Sequence, residues 1–196
     1  MGADAVTSSA GAGGVLEWVR DTAFLRSQRL QLSPLRARDA AGLLELDRSD
    51  LVGRWLLDDR LQNLLQAHVL VDWMNGFYAQ NPGLGVWAAR DRQDRFVGIY
   101  SLMPVPDTED VEIGARLLPA HWNGGLAVEM GHQLCRHAFT TLALPRLVSF
   151  CDLRHESVPA VLRRLGFRPA GTAKHFGKTA LFFEQNKTHW SDHHQS

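Results

Sequence analysis

The chain has 196 residues, enough for one ordinary domain and short for two independent cores. Its 45% hydrophobic content supports a real core, and 21 Lys+Arg against 21 Asp+Glu leave a formal net charge of zero. That balance argues against nucleic acid as a partner, which normally demands a basic excess, but leaves room for a small patch that holds one phosphorylated cofactor.

No apolar run reaches the length of a bilayer. The opening MGADAVTSSAGAGG has no basic segment followed by an apolar one, and Val6 stands where a myristoylation site wants Ser or Thr. Cys135 and Cys151 lie among apolar neighbours at no metal-like spacing and read as buried free thiols. A cytoplasmic protein with no metal and no membrane partner is expected. Residues 1–14 read as a tail, 15–188 as a single domain and 189–196 as a second tail.

In chain order, residues 28–34 (QRLQLSP) alternate apolar and polar side chains as a half-buried strand stopped by Pro34. The helix pattern of ARDAAGLLELDRS follows, with Asp39 as its cap. Residues 51–80 carry one or two helices, closed by Asn81-Pro82-Gly83. Strands are expected at 85–90, 95–103 and 111–118, the last ended by Pro119. Gly124 to Leu144 is helical, since Leu126, Met130, Leu134, Ala138 and Leu142 recur on one face. RLVSFCD (146–152) is a strand and SVPAVLRRLGF holds a short helix ended by Gly166. FRPAGTAKHF and KTALFFEQ form a hairpin about Gly177-Lys178. This mixed α/β order implies one sheet with helices on both faces.

The segment LLPAHWNGGLAVEMGHQL (117–134) is the most informative. A strand ends at a proline, a loop holds Gly124-Gly125, and a helix starts at once. Free amides at the new helix end, backed by its dipole, make an anion site suited to a pyrophosphate. A glycine turn that merely starts a helix fits the same residues. It is neither a Walker loop nor a dinucleotide fingerprint.

Trp122-Asn123-Gly124-Gly125-Leu126-Ala127 resembles the acetyl-CoA loop of the GNAT superfamily, Gln/Arg-x-x-Gly-x-Gly/Ala, with Trp122 departing from Gln or Arg. Glu112-Ile113-Gly114 followed by WNGGLAVEM, with Glu129, resembles the RimJ/RimL-like branch of ribosomal-protein-alanine N-acetyltransferases. RLQLSPLRARDA (29–40) and LRRLGF (162–167) resemble its opening strand and its Leu-x-Lys-x-Gly-Phe signature, so the likeness spans 28–185. It implies a GNAT acyl-CoA N-acyltransferase fold, a central and mostly antiparallel sheet flanked by helices. It also implies acetyl-CoA as cosubstrate and an amine as acceptor, a protein N-terminus or a small molecule. A homodimer is compatible with it. A non-catalytic acyl-CoA-binding module is the alternative.

The resemblance also assigns roles. The strand before the loop splays from its neighbour and the thioester lies in the gap, so the main chain of Leu117 and Leu118 faces the acyl group and Leu117 stabilises the oxyanion. Amides of Trp122, Asn123, Gly124, Gly125, Leu126 and Ala127 hold the pyrophosphate. Strand alternation puts Val111, Ile113, Ala115 and Leu117 on one face and Glu112 on the other. Glu112 is the candidate general base; a solvated acid of the run Asp107, Glu109, Asp110, Glu112 is the plainer reading.

The tyrosine that often serves as acid is replaced by Leu162, leaving Ser157 or water; Ser157 also suits a helix cap. His155 stands where relatives have an Asn that contacts the pantetheine arm, though a loop histidine fits equally. Arg163 and Arg164 either reach phosphates or face solvent. Trp55, Trp73 and Phe77 either line the acceptor pocket or fill the core. The tail histidines His189, His193 and His194 lack the fixed geometry of a metal site.

Overall fold

The computed structural model describes residues 23–190. Eight strands form a single sheet. They are β1 (Leu25–Arg26), β2 (Leu30–Pro34), β3 (Gly85–Asp91), β4 (Phe96–Pro104), β5 (Val111–Leu117), β6 (Arg146–Asp152), β7 (Arg168–His175) and β8 (Lys178–Asn186). Their spatial order is β1-β2-β3-β4-β5-β6-β8-β7. Every neighbouring pair is antiparallel except β5–β6, which is parallel.

The described residues also form five α-helices: α1 (Ala40–Arg48), α2 (Asp50–Gly53), α3 (Leu64–Gln80), α4 (Leu126–Arg136) and α5 (Ser157–Arg164). On one face α4 and α5 bury Leu126, Met130, Leu134 and Leu162 against Tyr100, Leu102, Ile113, Leu147 and Phe183. Each such apolar side chain contributes about 1.5–3 kcal/mol by leaving water. On the other face α1 and α3 pack Leu43, Ala67, Val71 and Met74 over Leu35 and Ala88. The helix expected from 124 to 144 is shorter: α4 carries Leu126, Met130 and Leu134 of the stripe. Ala138 and Leu142 lie beyond it, in and after a π-type turn at His137–Thr141, still packed on the same core.

Some local expectations change. Asp39 does not cap α1; its carboxylate accepts from the Arg36 N–H at 2.8 Å and pairs with Arg90, both side chains being buried. Such a buried pair needs both partners, because removing one strands a charge. Ser157 is the first residue of α5 rather than its cap and is exposed. Trp73 does not belong to the core, since it is 54% exposed on α3 with its ring 5.5 Å from Phe77. Trp190, assigned to the C-terminal tail, packs its ring 5.4 Å from Phe139 after a turn at Lys187–His189. The N-terminal tail and His193 and His194 lie outside the described residues. Both cysteines are buried free thiols, and burial pushes Cys135 up to about 12 and Cys151 to about 11. No helix among the described residues is long and apolar enough to cross a membrane.

Candidate active site

The sheet opens at its one parallel pair. β5 and β6 are in register at Val111↔Leu147 and Glu112↔Val148 and nowhere beyond. Ser149 still reaches across, donating its Oγ to the Ile113 carbonyl at 3.0 Å. Past that point the strands part, and their C-terminal ends border a gap. Ala115, expected on the buried face with Ile113 and Leu117, is exposed because no strand covers it there.

Main-chain groups alternate sides along an antiparallel strand. The Leu118 N–H donates to the Val97 carbonyl on β4 at 3.0 Å. By alternation Ile113, Ala115 and Leu117 turn their polar groups away from β4, as the Ser149 bond to Ile113 also requires. The Leu117 carbonyl is occupied by the Trp122 indole, whose Nε1 donates at 2.8 Å. The Leu117 N–H thus faces the gap, whereas the Leu118 amide is committed to the ladder and cannot serve a cofactor.

Beyond Leu117, a short turn at Pro119–His121 leads to the glycine loop. Asn123 and Gly125 take left-handed conformations, with φ of 62° and 77°. Gly125 caps α4, its carbonyl accepting from Val128 at 3.2 Å and Glu129 at 3.0 Å. A left-handed cap is natural for glycine and strained for bulky residues. Leu126 and Ala127, the first helical residues, have no carbonyl one turn back for their N–H groups. The loop is held from beneath by Tyr100, whose hydroxyl donates to the Leu126 carbonyl at 2.8 Å.

An ion pair between residues distant in the chain lies against this loop. Glu129 in the first turn of α4 accepts from the Arg29 N–H at 2.8 Å, Arg29 Nε at 2.7 Å and Ser27 Oγ at 2.7 Å. Burial alone would raise the Glu129 carboxyl, but these bonds outweigh it and hold it below its usual range. With Nε engaged, the other two nitrogens of Arg29 turn to the glycines. A Cβ on Gly124 would stand 3.9 Å from Nη1, and one on Gly125 3.8 Å from Nη2. Arg29 and Glu129 both stood in quoted motifs; only their pairing across the fold was hidden.

The acidic run separates into distinct roles. Asp110 pairs with Arg146 at 2.7 Å, whereas Glu112 pairs through Oε2 with His175 Nε2 at 3.0 Å. Glu112 is therefore not a freely solvated acid; its side chain is 22% exposed at the vertex of the gap. Alternation and register place it on the sheet face opposite α4, with Gly114 and Arg116 beside it on β5. Arg116 is itself held by Asp47 at 3.3 Å and by Asp58.

The residues at the wide end are brought near one another by topology. Parallel β5 and β6 end on the same side, so the loop after β6 flanks the gap opposite the glycine loop. His155 lies there, its ring 4.6 Å from Trp55 and its Nδ1 buried with no hydrogen-bond partner. Burial lowers its pKa, against the opposing pull of Asp152. Neither tyrosine is placed as an acid. The Tyr78 hydroxyl donates to the Val86 carbonyl and burial pushes it up to about 12, and Tyr100 is tied to α4. Arg163 and Arg164 lie exposed on α5. Among the described residues no group of three or more His, Cys, Asp or Glu is arranged for a metal.

A sheet opened at one parallel pair, an N–H facing the opening and an anion cradle at the next helix start are the parts of an acyl-CoA-dependent transferase. Residues 29–168 match the family model described as Acetyltransferase (GNAT) domain, and the chain belongs to that family. Among curated relatives, the uncharacterized N-acetyltransferase YoaA of Bacillus subtilis is 22% identical over 157 residues, covering 78% of this chain and 87% of that protein. Spermidine N-acetyltransferase from Vibrio cholerae, solved with CoA and spermine, superposes with a TM-score of 0.67 at 12% identity, covering 82% of this chain and 96% of that one. A RimL ribosomal alpha-N-protein acetyltransferase solved with coenzyme A gives a TM-score of 0.70 at 18% identity, covering 84% and 97%. The fold is the GNAT fold, and the chain is an acyl-CoA-dependent acetyltransferase; the non-catalytic alternative is not favoured.

Proposed function

We propose that this chain transfers the acetyl group of acetyl-CoA to a primary amine by direct attack, with Glu112 as general base. The observation that carries the reading is the divergence of β5 from β6 directly ahead of the Gly124-Gly125 loop. A thioester in that gap meets the Leu117 N–H, and the cofactor phosphates meet the guanidinium of Arg29 and the amides of residues 123–127; the expected Trp122 amide is taken by the Pro119 carbonyl at 3.2 Å. His155 borders the same opening, in the place from which it would contact the pantetheine arm.

An alkylamine is almost fully protonated near neutral pH, so its attack requires a base. Glu112 first takes a proton from the ammonium and passes it to solvent; the neutral nitrogen then bonds to the acetyl carbon, and the carboxylate takes the second amine proton from the tetrahedral adduct. The Leu117 N–H stabilises the resulting oxyanion. The carbon–sulfur bond then breaks, and the CoA thiolate leaves and takes a proton from water or Ser157. The RimJ/RimL-like words at 112–114 and 122–130 weight the acceptor towards a protein N-terminus over a small amine.

A thermal melt with excess CoA tests the cosubstrate. At about 100 times its dissociation constant a ligand adds roughly 2.7 kcal/mol, which for a chain of this size is a rise of about 5–10 °C. CoA and acetyl-CoA should raise the melt and adenosine should not. No shift with either would overturn the reading.

Arg29 offers a second check. Arg29→Met should raise the KM for acetyl-CoA about tenfold or more, the worth of one charge-assisted hydrogen bond. Turnover of the phosphate-free acetyl-pantetheine should be unchanged. Equal losses with both donors would assign Arg29 to the fold alone.

A further inference from the structure

We propose that His175 is the positioning residue of the reaction: it holds the Glu112 carboxylate at the vertex of the gap so that Oε1 meets the incoming amine. This rests on the base role proposed for Glu112. β7 lies three strand steps from β5 in the sheet, about 14 Å at the usual spacing. The Glu112–His175 contact therefore exists only because the β7–β8 tip arches back across β8 and β6.

The arch is built from specific residues. Phe176 and Gly177 turn the chain with φ of 47° and 74°, and His175 pairs with Lys178 across the turn. Lys178 ties the tip down by donating to the Leu56 carbonyl at 3.2 Å. The His175 imidazole lies flat on Phe150, centroids 4.1 Å apart and planes within 7°, while Phe176 meets it edge-on at 4.4 Å. A ring fixed on two sides by aromatic contacts can present Nε2 in one direction, and that direction is Glu112 Oε2 at 3.0 Å.

Burial assigns the roles within the pair. His175 is 8% exposed, beneath the hairpin tip, while the Glu112 side chain at 22% is the member that solvent or substrate reaches. The imidazole engages Oε2, and Oε1 remains the oxygen that can take a proton. Fixing the carboxylate in one rotamer removes the search that a free side chain would make, and misplacing a reacting group by about 1 Å can cost on the order of a hundredfold in rate.

The test compares kcat, KM and CoA-induced melting for His175→Ala, His175→Gln and Glu112→Gln. His175→Ala should lower kcat roughly tenfold to a hundredfold with KM for acetyl-CoA and the melt shift preserved. His175→Gln, whose amide nitrogen can donate from the place of Nε2 but cannot carry a titrating proton, should recover most of that loss. Unchanged kcat in His175→Ala, beside an inactive Glu112→Gln, would overturn the positioning role and leave the base standing. Failure of glutamine to rescue, in a variant that still binds CoA, would also overturn it, because His175 would then act through its proton. Full activity of Glu112→Gln would instead sink the base reading on which this rests.

Discussion

Glu112→Gln is expected to lower kcat by roughly 10²–10⁴, the usual contribution of a positioned general base, with CoA affinity intact. Glutamine keeps the size of the side chain and can still accept from His175 through its amide oxygen, so the local contact at 3.0 Å need not collapse. What it loses is the capacity to take a proton. The phosphate loop and the Leu117 N–H lie further along the chain, at and beyond the far end of β5, and do not depend on the residue at 112. A fall in kcat with an unchanged CoA-induced melt shift is therefore the signature of the base. Equal turnover in variant and wild type would remove Glu112 from the chemistry.

The second large effect is expected at Gly98, a position far less conspicuous in the sequence. Gly98 pairs with Leu117 across β4 and β5, at φ of 154°. A Cβ there would overlap the Arg116 carbonyl oxygen and stand 2.8 Å from the Leu117 Cα. Both obstacles are main chain, so no rotamer change relieves them. Gly98→Ala must push the end of β5 off β4 or unfold it, and should cost about 3 kcal/mol or more. For a chain of this length that is a fall of roughly 6–12 °C in Tm. Because Leu118 also bonds Val97 at this point, the displaced segment is the one that aims the Leu117 N–H. Calorimetry of the variant checks the stability; a melt within 2 °C of wild type, on the order of the noise allowed for a surface change, would refute the close approach.

The parts legible in the sequence were those set by local chemistry. The run 122–127 announces a turn and a helix start through its own glycines, and the stripe Leu126, Met130, Leu134, Ala138 announces the face that packs. The β7–β8 hairpin is written in Gly177 and its flanking strands, although the turn falls on Phe176-Gly177, one residue before the expected Gly177-Lys178. What stayed hidden depends on partners distant in the chain. Alternation alone predicts Ala115 buried, and only the departure of β6 after Val148 exposes it. Arg29 and Glu129 are a hundred positions apart, and nothing near either names the other. His175 reads as an ordinary strand residue of AKHF until the tip folds over Phe150. Asp39 shows the converse, since a good capping residue was drawn off by the buried guanidinium of Arg90.

The two register pairs that join β5 to β6 also have a mechanical meaning. They make the sheet two plates, β1 to β5 and β6-β8-β7, whose ladders meet along a hinge at Val111–Glu112 and Leu147–Val148. Leu117 rides on the first plate and lies about 16 Å beyond that hinge, at about 3.3 Å per residue. Glu112 sits on the hinge itself. An opening of about 10° therefore swings the Leu117 end of the strand by about 3 Å on that lever arm and scarcely displaces the carboxylate. The width of the gap can change with its contents while the proposed proton acceptor stays where His175 holds it.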